Sequence, residues 1–261
     1  MEKKYYIFDM DGTLIDSMPS YGGAVMKYLE MNNISHPDDT LKTVTPLGYA
    51  GAAKHFIDKL GCTATVEEIC ESFRELMIDD YKYTIPAKDG VTEALEFLKS
   101  QGHSLNVLTA SPHVTLDPCL MRLGLFDLFD NVWSSEDFGL TKAEVAIYHE
   151  AAKKLGTTVE KCIFLDDNYN AVETAKKAGM SVYGVYDLSS ADYIDDMIRI
   201  SDRYIKNFRE LIWYYKSTAS LLYVDLFLIM LMQCFIYYGW NYYFASTYLI
   251  FKYIWITVIY K

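Results

Sequence analysis

Short apolar runs punctuate the chain at residues 5–8, 105–108, 162–165 and 182–185, each about the length of a buried strand and each flanked by polar or turn-forming residues. Helical spacing fills the gaps between the later runs. Residues 89–100 carry Val91, Ala94, Leu95 and Leu98 on one face, with Gly102 just beyond. Asp117 followed by Pro118 predicts an N-cap with proline at the first helical position, for a short helix that Gly124 ends. Thr141-x-x-Glu144 has the capping-box pattern and predicts a helix running to Gly156. Asn170-x-x-Glu173 predicts another, stopping at Gly179. Strands alternating with helices imply an α/β fold, a doubly wound parallel sheet with helices on both faces.

The first two runs are separated by about ninety residues, far more than one crossover needs. Most of that stretch has helical periodicity, at residues 24–29, 52–60 and 66–77, and few strand signals. It reads as a small helical domain, residues 16–86, inserted into a core made of residues 1–15 and 87–212. From residue 213 the composition changes. Residues 226–251 hold no Asp, Glu, Lys or Arg over 26 positions and are crowded with Tyr and Trp, long enough to span a bilayer. Basic residues are denser before that stretch (Arg199, Arg203, Lys206, Arg209, Lys216) than after it (Lys252, Lys261), which would leave the preceding domain in the cytoplasm. The tail is therefore read either as a membrane anchor, through residues 217–261, or as an artefactual extension with no role.

Composition narrows the class. At 51% hydrophobic and 23% charged the chain is globular, and a net charge of −11 without a basic patch argues against nucleic acid as a partner. Cys62, Cys70, Cys119, Cys162 and Cys234 are odd in number, scattered and without C-x-x-C spacing, so neither a disulfide framework nor a structural zinc site is expected. A cytoplasmic location fits. No signal peptide is expected, because charged residues and Asp9 interrupt the first apolar run.

Two aspartates, Asp9 and Asp11, follow the first strand directly, with Gly12 free to turn the backbone sharply behind them. Strand alternation would put both on one side, where two like charges persist only if a cation or a proton relieves them. A D-x-D-G-T string arises by chance in roughly a few chains per thousand of this length. Ligands of open α/β sheets bind at the carboxyl ends of the strands. Those ends carry Asp9 and Asp11, then Thr109, Ala110 and Ser111, then Asp166 and Asp167, with Lys142 at a helix start between the last two. The set suits phosphoryl transfer. Carboxylates can hold magnesium, one carboxylate can attack phosphorus, a second can shuttle the proton, and hydroxyl, N–H and ammonium groups can neutralise the phosphoryl oxygens.

Over roughly residues 1–212 the chain resembles the haloacid dehalogenase-like superfamily, subfamily I, with a helical cap. "FDMDGT" resembles the family's first motif, which implies Asp9 as nucleophile and Asp11 as general acid/base. The Asp9 carboxylate and the Asp11 backbone carbonyl would then be magnesium ligands. "NVLTAS" resembles the second motif and implies that Thr109, with the Ala110 N–H, binds phosphate. "GLTKAEVAIY" resembles the third and implies Lys142. "FLDDNYNAV" resembles the fourth and implies Asp166 and Asp167 at the metal, Asp167 as the more direct ligand. Ala143 and Ala146 stand where the family usually has prolines beside its lysine, which implies a less rigidly held Lys142. "TPLGYAGAAKHF" resembles the substrate-specificity loop only loosely and identifies no substrate.

The resemblance implies a magnesium-dependent phosphatase for a small phosphorylated metabolite, of the phosphoglycolate or sugar-phosphate kind. A phosphomutase of the β-phosphoglucomutase type is the rival. Such mutases carry a cap histidine about ten residues after the acid/base, where Tyr21 stands here. Dehalogenases lack the second aspartate and phosphonatase-like relatives carry alanine there, so Asp11 disfavours both. A membrane-anchored binding protein without catalysis is the reading from another class, and the completeness of the four motifs speaks against it. His113 and Lys54 are weaker candidates: His113 is at least as well explained as a surface or capping side chain, and Lys54 is better explained as a solvated helix residue. "YIKNFRELI" resembles the last helix of such a domain.

Overall fold

Alternation along the first strand, β1 (Tyr5–Phe8), sends Tyr6 and Phe8 to one face of the sheet and Ile7 to the other, and helices bury both sets. The computed structural model describes residues 2–216. Among them β1 is joined by β2 (Ser104–Thr109), β3 (Asn131–Ser134), β4 (Cys162–Asp166), β5 (Ser181–Val185) and β6 (Arg203–Ile205). They form one sheet in the order β3-β2-β1-β4-β5-β6, and every pairing is parallel. The order reverses at β1, which has β2 on one side and β4 on the other, so the switch point of the sheet lies beside Asp9. Phe8 pairs with Val107 and with Leu165, which brings the ends of three central strands level.

Between β1 and β2 run α1 (Met18–Met31), α2 (Thr40–Val44), α3 (Gly48–Leu60), α4 (Val66–Tyr83) and α5 (Val91–Ser100). The remaining helices are α6 (His113–Arg122), α7 (Val145–Lys154), α8 (Tyr169–Lys177) and α9 (Ile194–Ile200). α5 and α6 pack with the inserted helices and the Tyr6/Phe8 face, and α7, α8 and α9 cover the Ile7 face. The first face continues without a break into the insertion, whose core is aromatic. Phe73 of α4 lies edge-on to Tyr21, Tyr28, Tyr49 and Phe56, with ring centroids 5.5–6.1 Å apart. Such edge contacts add to the burial of the rings themselves.

α4 shows how sequence makes its helix. Ile69, Phe73, Met77 and Tyr81 recur every fourth residue and are all buried. Thr65 closes its start: the Glu68 N–H donates to the Thr65 hydroxyl at 3.2 Å, and the Thr65 N–H donates to the Glu68 carboxylate at 2.7 Å. Thr65→Ala should lower stability by about 1 kcal/mol in urea denaturation. An unchanged midpoint would mean that the box contributes nothing.

Three predicted helix starts move. α6 begins at His113, with Pro112 as its cap and Pro118 inside it. Asp117 is no cap, because its carboxylate instead meets His113 Nδ1 at 2.9 Å. α7 begins only at Val145, since the Thr141–Glu144 pair closes a separate turn in front of it. α8 is capped by Asn168 rather than Asn170, its side chain accepting from the Asn170 and Ala171 N–H groups at 2.9 and 3.4 Å. In "YIKNFRELI" the opening residues belong to the edge strand β6, and helical backbone resumes at Arg209.

Met1–Ile212 makes one compact unit and Trp213–Lys261 another, of which residues 213–216 are described. The apolar stretch read as a membrane segment lies outside the described residues. Among the described residues no helix is long and apolar enough to cross a membrane. Cys62, Cys70, Cys119 and Cys162 are free thiols.

Candidate active site

Strand β1 stops at Phe8, so the two aspartates stand past its end in a tight coil rather than on the alternating face of a strand. The Met10 carbonyl accepts the N–H groups of Thr13, Leu14 and Ile15 at 3.2, 2.8 and 3.0 Å, which curls the chain back immediately. Gly12 adopts φ 72°, and a Cβ there would lie 2.5–2.8 Å from the Asp167 carboxyl group. Only glycine lets this turn press so closely on the neighbouring strand end.

The turn and the end of β4 are stitched together. The Asp9 N–H donates to the Leu165 carbonyl at 2.9 Å. The Thr13 hydroxyl donates to Asp167 Oδ1 at 3.0 Å, and the Asp167 N–H donates back to the same hydroxyl at 3.0 Å. Asp9, Asp166 and Asp167, all buried, each present a carboxylate oxygen within 4.8 Å of the others. Lys142 Nζ reaches Asp9 Oδ1 at 2.6 Å and Asp166 Oδ2 at 2.8 Å. Around Lys142 the Glu144 carboxylate accepts the Thr141 N–H, and the Tyr148 hydroxyl donates to the Lys142 carbonyl at 2.9 Å.

Asp11 turns toward the insertion. The Tyr81 hydroxyl donates to its Oδ1 at 2.6 Å, and the Ser111 hydroxyl donates to its Oδ2 at 2.5 Å. Thr109 ends β2, is fully buried and accepts the Ser111 N–H at 3.2 Å; Ala110 beside it is exposed. Thr109 is thus linked to the Asp11 carboxylate through Ser111. His113 bridges Asp117 and Asp137, at 2.9 and 3.0 Å, which is a structural role, and Lys54 is exposed on α3.

The electrostatics follow from three crowded buried carboxylates, of which Asp9 and Asp166 share the Lys142 ammonium. Burial, and then the charges of Asp166 and Asp9, hold the Asp167 carboxyl well above the usual range. Burial also pushes Asp166 up to about 7, against the pull of Lys142. Burial works against the Lys142 charge as well, but Asp166 and Asp9 outweigh it and keep the amine protonated. Asp11 is raised by burial and by the Asp9 charge, with the Ser111 and Tyr81 hydrogen bonds opposing. An all-oxygen cluster of carboxyl groups whose ionised forms repel one another is the donor set that a hard divalent cation such as magnesium prefers, so the residues fit such an ion.

Sequence reasoning missed Tyr81, Thr13, Asn168 and Lys88. Tyr81 lies seventy residues from Asp11 along the chain, and nothing local marks it. Thr13 and Asn168 adjoin the motif aspartates: Thr13 bonds Asp167 as above, and the Asn168 N–H donates to Asp166 Oδ1 at 2.7 Å.

Comparison with known proteins places this chain among relatives. The model of a family described as "haloacid dehalogenase-like hydrolase" matches residues 6–185. A phosphoglycolate phosphatase of Colwellia psychrerythraea is 29% identical over 196 residues, covering 70% of this chain and 84% of that protein. Hexitol phosphatase B of Escherichia coli K12 is 30% identical over 183 residues, covering 67% of this chain and 79% of the other. The crystal structure of a predicted phosphoglycolate phosphatase from Haemophilus somnus superimposes with a TM-score of 0.70, at 22% identity, over 82% of this chain and 99% of that one. The matched segment contains the Asp9 turn, Thr109, Lys142, Asp166 and Asp167, and on that ground the chain belongs to the haloacid dehalogenase-like hydrolases.

Proposed function

We propose that this hydrolase is a magnesium-dependent phosphatase that cleaves a small phosphate monoester through an aspartyl-phosphate on Asp9. The observation that carries the reading is the buried cluster of Asp9, Asp166 and Asp167, with Lys142 bridging the first two and Asp11 beside it as a separately held carboxyl group. In the first step an Asp9 oxygen attacks phosphorus and the ester P–O bond breaks, its electron pair leaving with the alkoxide, which takes a proton from Asp11. In the second, water gives that proton back to Asp11 as its oxygen attacks phosphorus, releasing phosphate and the Asp9 carboxylate. Lys142, the Thr109 hydroxyl and the Ala110 N–H would neutralise the phosphoryl oxygens. Asp9, Asp166, Asp167 and the Asp11 carbonyl would hold magnesium, which supplies Lewis-acid neutralisation of phosphoryl charge when bound.

Residues 16–86 would act as the cap, and the reach of Tyr81 to Asp11 supports this. The phosphatase names among the relatives support a small phosphorylated metabolite of the phosphoglycolate or sugar-phosphate kind as substrate. Tyr21, at the place of the mutase histidine, is buried 5.1 Å from the Tyr49 ring in a stacked pair, which favours hydrolysis over phosphomutation. A cytoplasmic site of action fits such substrates.

Phosphate release across sugar phosphates, phosphoglycolate and nucleotides tests the assignment; no release from any member would overturn it. Activity should vanish on chelation and return with added magnesium. Asp167→Ala should raise the magnesium requirement at least tenfold, about the effect of losing a metal-site group. Full turnover in excess chelator would point to another mechanism.

A further inference from the structure

The segment that returns from α4 to α5 carries Lys88, whose backbone N–H donates to the Leu14 carbonyl at 2.9 Å. Its ammonium spends all three donors on strand-end loops. It bonds the Gly12 carbonyl, the Tyr186 carbonyl at 2.8 Å, and Asp187 Oδ2 at 2.7 Å. Asp187 is buried, and its other oxygen accepts the Ser189 N–H at 2.8 Å and the Ser189 hydroxyl at 2.6 Å, which aims Oδ2 at the lysine. Lys88 thus ties the turn after β1 to the loop after β5, with β4 between them in the sheet.

What it ties down is the support of Asp167. Gly12 holds its N–H on the Ile15 carbonyl at 3.0 Å and its carbonyl on Lys88, so the turn is gripped from both ends. Asp167 lies against Gly12, and Thr13 fixes both its carboxylate and its N–H. We propose that Lys88 is a positioning residue for the cation site: by holding the Gly12 carbonyl it sets the turn against which the Asp167 carboxylate is placed. This rests on the magnesium reading above. An ion pair serving stability alone would need only Asp187. The two carbonyl bonds give the lysine a geometric task as well.

Titration calorimetry with magnesium chloride on the full chain, at a temperature where all variants are folded, tests it. Lys88→Met should weaken magnesium binding about 10–100-fold, as loss of an outer partner of a metal site does. Lys88→Met combined with Asp187→Leu removes both partners of that ion pair and so guards against a variant that fails to fold. It should show the same weakening, because the Gly12 carbonyl has still lost its donor. Wild-type affinity in the folded double variant, even with an altered melting temperature, would overturn the proposal. Absence of magnesium binding in the wild type would instead overturn the metal reading on which it rests.

Discussion

Asp9→Asn is expected to bring phosphate-ester turnover to background, a loss of about four orders of magnitude or more, as for removal of other covalent nucleophiles. An amide oxygen has no full negative charge to donate and cannot form a stable acyl phosphate. The variant should nevertheless fold. Its oxygen can still accept from Lys142, which now lies 2.6 Å from Asp9 Oδ1. Removing one of three crowded carboxylates also relieves repulsion in a buried site. Circular dichroism should be unchanged and the melting temperature equal or higher. Retained turnover would sink the nucleophile assignment, and loss of activity with loss of structure would leave the residue's chemistry undecided until a folded variant such as Asp9→Ala is assayed.

The central strands were legible because they are buried on both faces and so read as uninterrupted apolar runs. The expected residues 105–108 and 162–165 fall inside β2 and β4, and the first run coincides with β1. β3 and β6 were not legible. Each is an edge of the sheet, short and partly polar, with Asn131 and Arg203 at their starts. Pairing with an inner strand makes them strands, and that is tertiary information. Helix starts failed for a related reason: a cap is defined by which N–H groups need an acceptor, and Asn168 and Asn170 are chemically alike. The geometry chose the one already fixed to Asp166. Of the candidate site, Asp9, Asp11, Thr109, Lys142, Asp166 and Asp167 could be read because β-strand ends bring consecutive motifs together, while Thr13 and Asn168 stand in the same motifs and only their contacts show their part. Tyr81 and Lys88 could not, because the insertion and its return segment set their places through contacts far apart in sequence.

The Tyr81 contact bears on the most discriminating variant. Asp11 is held on both oxygens by hydroxyl donors, apart from the Asp9 and Asp166 carboxylates that Lys142 bridges, and burial with the Asp9 charge favours its protonated form. A carboxyl group so placed suits an acid better than a metal ligand. If it protonates the leaving oxygen, Asp11→Asn should slow the first step most for poor leaving groups. General acid catalysis is worth ~10²–10⁴-fold, so an alkyl phosphate should lose about that much. p-Nitrophenyl phosphate, whose phenolate needs little protonation, should lose far less in phosphoryl transfer. Hydrolysis of the aspartyl-phosphate should also slow, because the same residue would draw the proton from water, and a phospho-enzyme should then accumulate and be trapped by acid quench. Single-turnover rates for the two esters, with the quench, are the measurement. Equal losses for both and no trapped intermediate would leave Asp11 as a structural junction between the turn, Tyr81 and Ser111, with the proton supplied from elsewhere.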